Sequence, residues 1–207
     1  TVNRLHVYAP QYSTTECRRV GFALPAAPTG ADDGAGGLSL SRSYKVAYTE
    51  QQTGVTVRRS ELSAALTRTI ASKAGSTITK PAALSEGETH WELYASADNT
   101  QYYLIATTVV GTTTYDDSAT PSAYTGTAPP TVGINTVQTS AKFLLSDGNR
   151  ILMAGAWESG GKNNRVWFTP VLGSSDVGDD ERIPNTTDLK YWIDLDENDG
   201  GFITGMG

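Results

Sequence analysis

The segment from His90 to Ala95, HWELYA, alternates Trp91, Leu93 and Ala95 with His90, Glu92 and Tyr94. A period of two sends the two sets to opposite faces of a β-strand and matches no helical face. Short segments of this kind recur along the chain, each closed by Gly, Asn, Asp or Pro. That texture predicts an all-β fold. Composition agrees: only 18% of residues are charged, and 28 threonines, many beside Val, Ile or Tyr, supply the polarity. Threonine fits a pleated, half-buried surface, and the 21 glycines and 9 prolines punctuate it.

Several function classes fall away on charge and residue supply. Sixteen Lys and Arg against 22 Asp and Glu leave a net charge of −6, so no basic surplus exists to neutralise phosphates, and nucleic-acid binding is not expected. No apolar run approaches the ~18 residues of a membrane-spanning helix, so no membrane partner is expected. The start, TVNRLHVYAP, lacks a charged-then-apolar signal pattern. One cysteine, Cys17, and two distant histidines, His6 and His90, give little material for zinc or His-based acid–base chemistry. No cofactor is called for.

Along the chain, Val2 to Tyr8 reads as a half-buried strand with Leu5 and Val7 on the buried side. Residues 25–37, PAAPTGADDGAGG, contain almost nothing to build a core and read as a linker or long loop. Ser43 to Thr49 is a strand with Tyr44, Val46 and Tyr48 on one face. Gln51 to Gly54 is a turn, and Val55 to Arg58 returns antiparallel. Ser76 to Lys80 is a short strand. His90 to Ala95, a turn at Asp98–Thr100, Tyr102 to Val110 and Thr112 to Tyr115 complete a sandwich-like spacing over 38–118. Its expected core includes Trp91, Leu93, Tyr103, Ile105 and Tyr115. Leu62, Leu66 and Ile70 leave two readings of SELSAALTRTI open: a strand or irregular edge, or a short helix capped by Ser60.

Residues 119–142, with Pro121, Pro129 and Pro130, read as a second connector. Beyond it, Phe143–Leu145, Ile151–Ala156, Arg165–Thr169, Tyr191–Leu195 and Phe202–Thr204 are strand cores separated by turns and one long acidic loop. This is meander texture, and four-stranded meanders are the unit of β-propellers. The domain expectation is a strand and linker over 1–37, a sandwich over 38–122, and a connector with meander over 123–207. A strand at the first residues and an apolar segment near the last suggest a piece of a longer polypeptide, or ends that pair with neighbours.

Four stretches carry a resemblance. SYKVAYTEQQTGVTVRRSELS has an aromatic strand, a TG turn and a polar segment. THWELYASADNTQYYLIATTVVGTTTYDDS is a long hairpin ending in a turn Asp, with Glu92 where a basic residue is common. NRILMAGAWESGGKNNRVWFTPV and YWIDLDENDGGFITGMG are similar to a hairpin that opens a propeller-like blade and to the segment that follows it. In this order they resemble tailed-bacteriophage tail or neck proteins, which join fibronectin-III-like sandwiches to propeller-like blades. The resemblance covers about residues 38–207 and departs from the family in holding at most one blade. It implies a fibronectin-III-like sandwich followed by a β-meander resembling a propeller blade. It further implies a non-enzymatic virion structural role, in the tail or neck, with a ring of like copies and other tail or neck proteins as partners.

Candidate chemistry is sparse. Asp194, Asp196, Asn198 and Asp199 in DLDENDGG place oxygens at alternating positions that suit Ca²⁺, with Gly200 for a sharp turn. An EF-hand loop from Asp194 would need Gly at Asp199 and Glu at Gly205, so the bland reading is a solvated turn whose side chains bond nearby N–H groups. Asp176, Asp179, Asp180 and Glu181 read as a hydrated acidic loop rather than the facing carboxylates of a glycosidase. Asp116 and Asp117 read as a strand end. Arg18 and Arg19 beside Cys17 could lower its pKa, although a plain buried cysteine is the simpler reading. The four tryptophans, 91, 157, 167 and 192, read as core or interface rather than a sugar-stacking surface.

Three functions follow: a tail or neck assembly module, a carbohydrate- or receptor-binding β-module on a virion or bacterial surface, and a piece of a secreted propeller hydrolase. Exposed tryptophans in a groove favour the second, and converging carboxylates the third.

Overall fold

A computed structural model of the chain describes residues 6–8, 17–19, 22–34, 40–70, 75–119, 121–129, 141–147, 150–155, 164–168, 192–195, 203 and 205. The strands are β1 (His6–Tyr8), β2 (Cys17–Arg19), β3 (Thr29–Asp32), β4 (Leu40–Gln52), β5 (Val55–Arg59), β6 (Leu66–Ile70) and β7 (Ser76–Thr79). They continue with β8 (His90–Ser96), β9 (Tyr103–Val109), β10 (Thr114–Asp117), β11 (Phe143–Asp147), β12 (Arg150–Ala154), β13 (Arg165–Phe168) and β14 (Trp192–Asp194). One 3-10 turn, Pro121–Ala123, is the only helical element among the described residues. The fold is all-β, built from antiparallel sheets, as the alternation predicts.

The chain forms two compact units, one of residues 24–51 and 60–132, the other of 1–23, 52–59 and 133–207. The first is sandwich-like. One sheet has the order β10-β7-β3 and the other runs β4-β8-β9, with β6 also paired to β4. Tyr44 faces Ala95, Val46 faces Leu93 and Tyr48 faces Trp91 across the β4–β8 ladder. These six side chains form a buried core with Ile78 and Tyr124. Of the expected core, Trp91 and Leu93 are fully buried, while Tyr103, Ile105 and Tyr115 pack against the cluster half-buried.

Two expectations change. Residues 25–37 are not merely a linker, because Thr29–Asp32 pairs with β7 along four residues. The strand needs no bulk of its own: at Gly30 the side chains of Arg68, Ile78 and Leu66 lie where a Cβ would point. The helical option for 60–70 also falls. Leu66–Ile70 pairs with β4. Ahead of it, Ser60 and Ser63 each accept a β4 N–H on the hydroxyl, from Tyr48 at 2.8 Å and Val46 at 2.9 Å. Their own N–H groups donate back to the Tyr48 and Val46 carbonyls at 2.8 Å. A serine that completes a strand ladder is unavailable as a helix cap.

β8 is buried on both faces. Ala47, Tyr94 and Tyr102 form a second cluster with Leu62, Ala65 and Leu104. The stitched segment before β6 thus supplies a cover that the alternation in β8 does not reveal. The tight turn after β4 is as expected: Thr53 and Gly54 take φ of 50° and 80°, the two positive values of a type I′ turn, and β5 follows it.

The other unit contains a four-stranded sheet in strict chain order, β11-β12-β13-β14, each neighbour antiparallel. This is the expected meander. Phe202 and Thr204, in the last expected strand core, lie outside the described residues, as do residues 2–5 of the first expected strand. Elsewhere in this unit the Arg58 guanidinium lies 3.9 Å from the Phe22 ring centroid, with both side chains buried.

Candidate functional site

The densest polar cluster among the described residues lies inside the sandwich-like unit. Arg42 and Tyr44 stand two residues apart on β4 and so share a face. Asp117 ends β10, and Tyr124 follows the 3-10 turn. All four are buried. The Asp117 Oδ2 accepts the Tyr44 hydroxyl at 2.9 Å and the Arg42 guanidinium at 3.3 Å. The Tyr124 hydroxyl also donates to this oxygen. Oδ1 accepts the Ala119 N–H at 3.0 Å, and the Asp117 carbonyl takes a second Arg42 bond at 3.2 Å. Burial first, then the Asp117 charge, pushes the Tyr44 phenol up to about 12. Burial and the bond to Asp117 raise Tyr124 as well.

Every partner of this carboxylate is a donor held by the fold, which leaves it no geometry for attacking or protonating a substrate. Its action is mechanical. The Asp117–Ala119 bond turns the chain out of β10, Tyr124 drops into the core, and the Leu104 N–H donates to the Thr127 carbonyl at 2.9 Å. Residues 118–119 and 121–127 therefore form a strap from β10 to the start of β9, latched by Asp117.

On the far side of β8, the buried Glu92 accepts the Tyr94 hydroxyl at 2.6 Å. The Lys45 ammonium sits 4.5 Å from the Tyr102 centroid. Asp98 accepts the N–H groups of Gln101 and Thr100 and the Ser96 hydroxyl, which hold its carboxyl below the usual range. With Asn99 at φ 59°, this is the expected turn.

In the meander, cross-strand pairing places Leu144, Met153 and Trp167 on one face and Phe143, Ala154, Val166 and Ile193 on the other. Each face is apolar at its centre, and the first also carries the Arg165–Asp194 ion pair. Met153, Ala154, Val166 and Trp167 are buried at the centre, whereas Leu144 on β11 is 44% exposed, and Ile193 and Leu195 at β14 are 51% and 48% exposed.

The calcium candidate divides. Asp194 receives a two-pronged bond from Arg165, Nε to Oδ1 at 2.6 Å and an amino nitrogen to Oδ2 at 2.8 Å, so both its oxygens are engaged. Asp196, Asn198 and Asp199 lie outside the described residues, as do Asp176, Asp179, Asp180 and Glu181. Asp116 bonds the Thr77 hydroxyl at 2.6 Å on the surface. His90 shares a 2.9 Å hydrogen bond between Nδ1 and the Thr89 hydroxyl. Cys17 is in β2, its backbone paired with Tyr8. Trp91 and Trp167 are buried within the chain, and the Trp91 indole N–H donates to the Thr112 carbonyl at 2.9 Å. Neither offers a sugar-stacking face. The side chains of Trp157 and Trp192 lie outside the described residues.

The Asp117 latch is the feature that reading the residues missed. The sequence carries a faint signal of it: Arg42 stands two residues before Tyr44, which puts a cation on the core-facing side of a strand. Comparison with protein-family models, with curated proteins and with solved structures found no match.

Proposed function

We propose that this chain is a non-enzymatic structural protein of a tailed-phage virion, assembling the tail or neck through contacts between β-domains. In this reading the sandwich is fibronectin-III-like and the meander is blade-like. The observation that carries it is the meander's apolar centre on both faces, continued by exposed Leu144 and Ile193 on its edge strands and Leu195 just past β14. An antiparallel sheet with one face in water alternates apolar and polar residues. A sheet apolar on both faces is built to be covered on both, as a propeller blade is by its neighbours. The four resembling stretches add support, since those over 43–63 and 89–118 contain most of β4 with β5, and β8–β10, and the two later ones contain β12–β13 and β14.

The test is localisation on particles. Antibody raised against the purified chain should decorate the tail or neck of phage particles carrying this protein in immunogold microscopy. Particles that lack the chain by mass spectrometry, or a purified chain that turns over a glycan substrate, would sink the reading.

A further inference from the structure

We infer that the outer edge of β9 is a self-association site, where two copies of this chain pair antiparallel about a two-fold axis centred on Thr107. The inference deepens the assembly reading and rests on it.

β9 terminates its sheet, so one side of the strand has no strand partner among the described residues. Its hydrogen-bonding phase is set at one end. The Val110 N–H donates inward to the Thr89 carbonyl at 2.8 Å. Main-chain groups alternate sides along a strand. Ala106 and Thr108 therefore face β8, and the N–H and C=O of Thr107 and the N–H of Val109 face out. Leu104, beyond an irregularity in the ladder near Tyr94, already uses its N–H on Thr127. The strap thus shows that this edge takes an added extended segment, and stops short of Thr107.

Edge strands are normally guarded by charge, proline or cover. The other edges of the sandwich-like unit follow that rule: Asp32 lies on β3, Arg68 on β6 and the exposed Asp116 on β10. β9, YLIATTV, has no charge and no proline, and it sits in a run of 17 uncharged residues from Asn99 to Tyr115. Val109 on its outer side is 53% exposed. A threonine- and valine-rich edge of this kind is prone to pair with its own kind.

The occupant is a second copy for two reasons. First, each copy carries a net charge of −6, so like copies repel over most of their surface and approach most easily along an uncharged edge. Second, antiparallel pairing of a strand with itself is self-complementary, as an isologous two-fold contact requires. At the axis the two Thr107 residues exchange N–H···O=C bonds, joining two sheets into one. A separate ring contact would turn such pairs into a double ring.

Sedimentation equilibrium of the full chain tests this with two variants. Thr107→Pro removes an N–H that points away from β8, a place where an edge strand tolerates proline. Thr107→Lys keeps the N–H and sets two like charges against each other at the axis. The wild-type chain should sediment at twice its chain mass, and both variants as monomers with the far-UV circular dichroism of the wild type. If Thr107→Pro disturbs folding, Thr107→Lys decides alone. A wild-type chain that stays monomeric at its highest soluble concentration overturns the β9 site. So does an oligomer indifferent to Thr107→Lys. Either result leaves the virion reading to the immunogold experiment, which fails or succeeds separately.

Discussion

Replacing Asp117 by Asn should cost the sandwich-like unit about 3–5 kcal/mol. The carboxylate is 3% exposed and accepts the Tyr44 hydroxyl at 2.9 Å, the Tyr124 hydroxyl, Arg42 at 3.3 Å and the Ala119 N–H at 3.0 Å. Hydrogen bonds to a charged group contribute about 1.5–3 kcal/mol each. An amide of the same shape keeps one acceptor oxygen but loses the charge, so roughly two such bonds are lost or weakened. Breaking a buried ion pair by removing one partner costs about 3–5 kcal/mol, which agrees in size. At about 4–8 °C per kcal/mol for a domain near 100 residues, the transition should fall by at least ~10 °C. Calorimetry and urea unfolding of the full chain would measure it. Because Arg42 and Asp117 act on one another, the cost of Arg42→Met should shrink in the Asp117→Asn background, giving a coupling of about 1 kcal/mol or more. A loss below about 0.5 kcal/mol, or strictly additive variants, would refute the latch.

Three further outcomes are expected. Leu93→Ala deletes a fully buried side chain at the centre of the β4–β8 ladder and should destabilise by about 2–5 kcal/mol in urea titration. Gly75→Ala should cost at least ~2 kcal/mol by the same assay, because its Cβ would overlap the Asp33 carboxylate and lie 2.5 Å from the Asp117 carbonyl oxygen. Burial raises Tyr44 and Tyr48 from 10 to about 12. The folded state thus favours their protonated forms. Their contribution is complete below pH 10 and is lost as pH climbs towards 12. The urea midpoint should therefore drop across that interval, alongside tyrosinate absorbance. A midpoint flat up to pH 12 would remove both residues from the buried set.

Much of the architecture is legible along the chain because strand geometry is local. Alternation in 44–48 and 91–95 marks the residues that meet across the β4–β8 ladder. The Thr53–Gly54 pair and the Asp98–Asn99 pair declare their turns, since few residues accept positive φ or bond their own backbone two residues on. The chain-ordered meander is visible for the same reason. The weak calcium candidate shows the limit of such reading: spacing along DLDENDGG says nothing of Arg165, 29 residues away, which engages both oxygens of Asp194.

What the sequence by itself determined is therefore the class of fold, the turns and the faces of each strand, all consequences of backbone sterics within a few residues. The tertiary structure alone decided the rest. It made Thr29–Asp32 a strand, because that segment has no apolar pattern and exists only by pairing with β7. It made 60–65 a cover for Tyr94, because the serines there bond to a strand, β4, that lies earlier in the chain. It also assembled Arg42, Tyr44, Asp117 and Tyr124 into one latch across 82 positions of sequence, where a buried charge finds its counter-charge only after the sheets have packed.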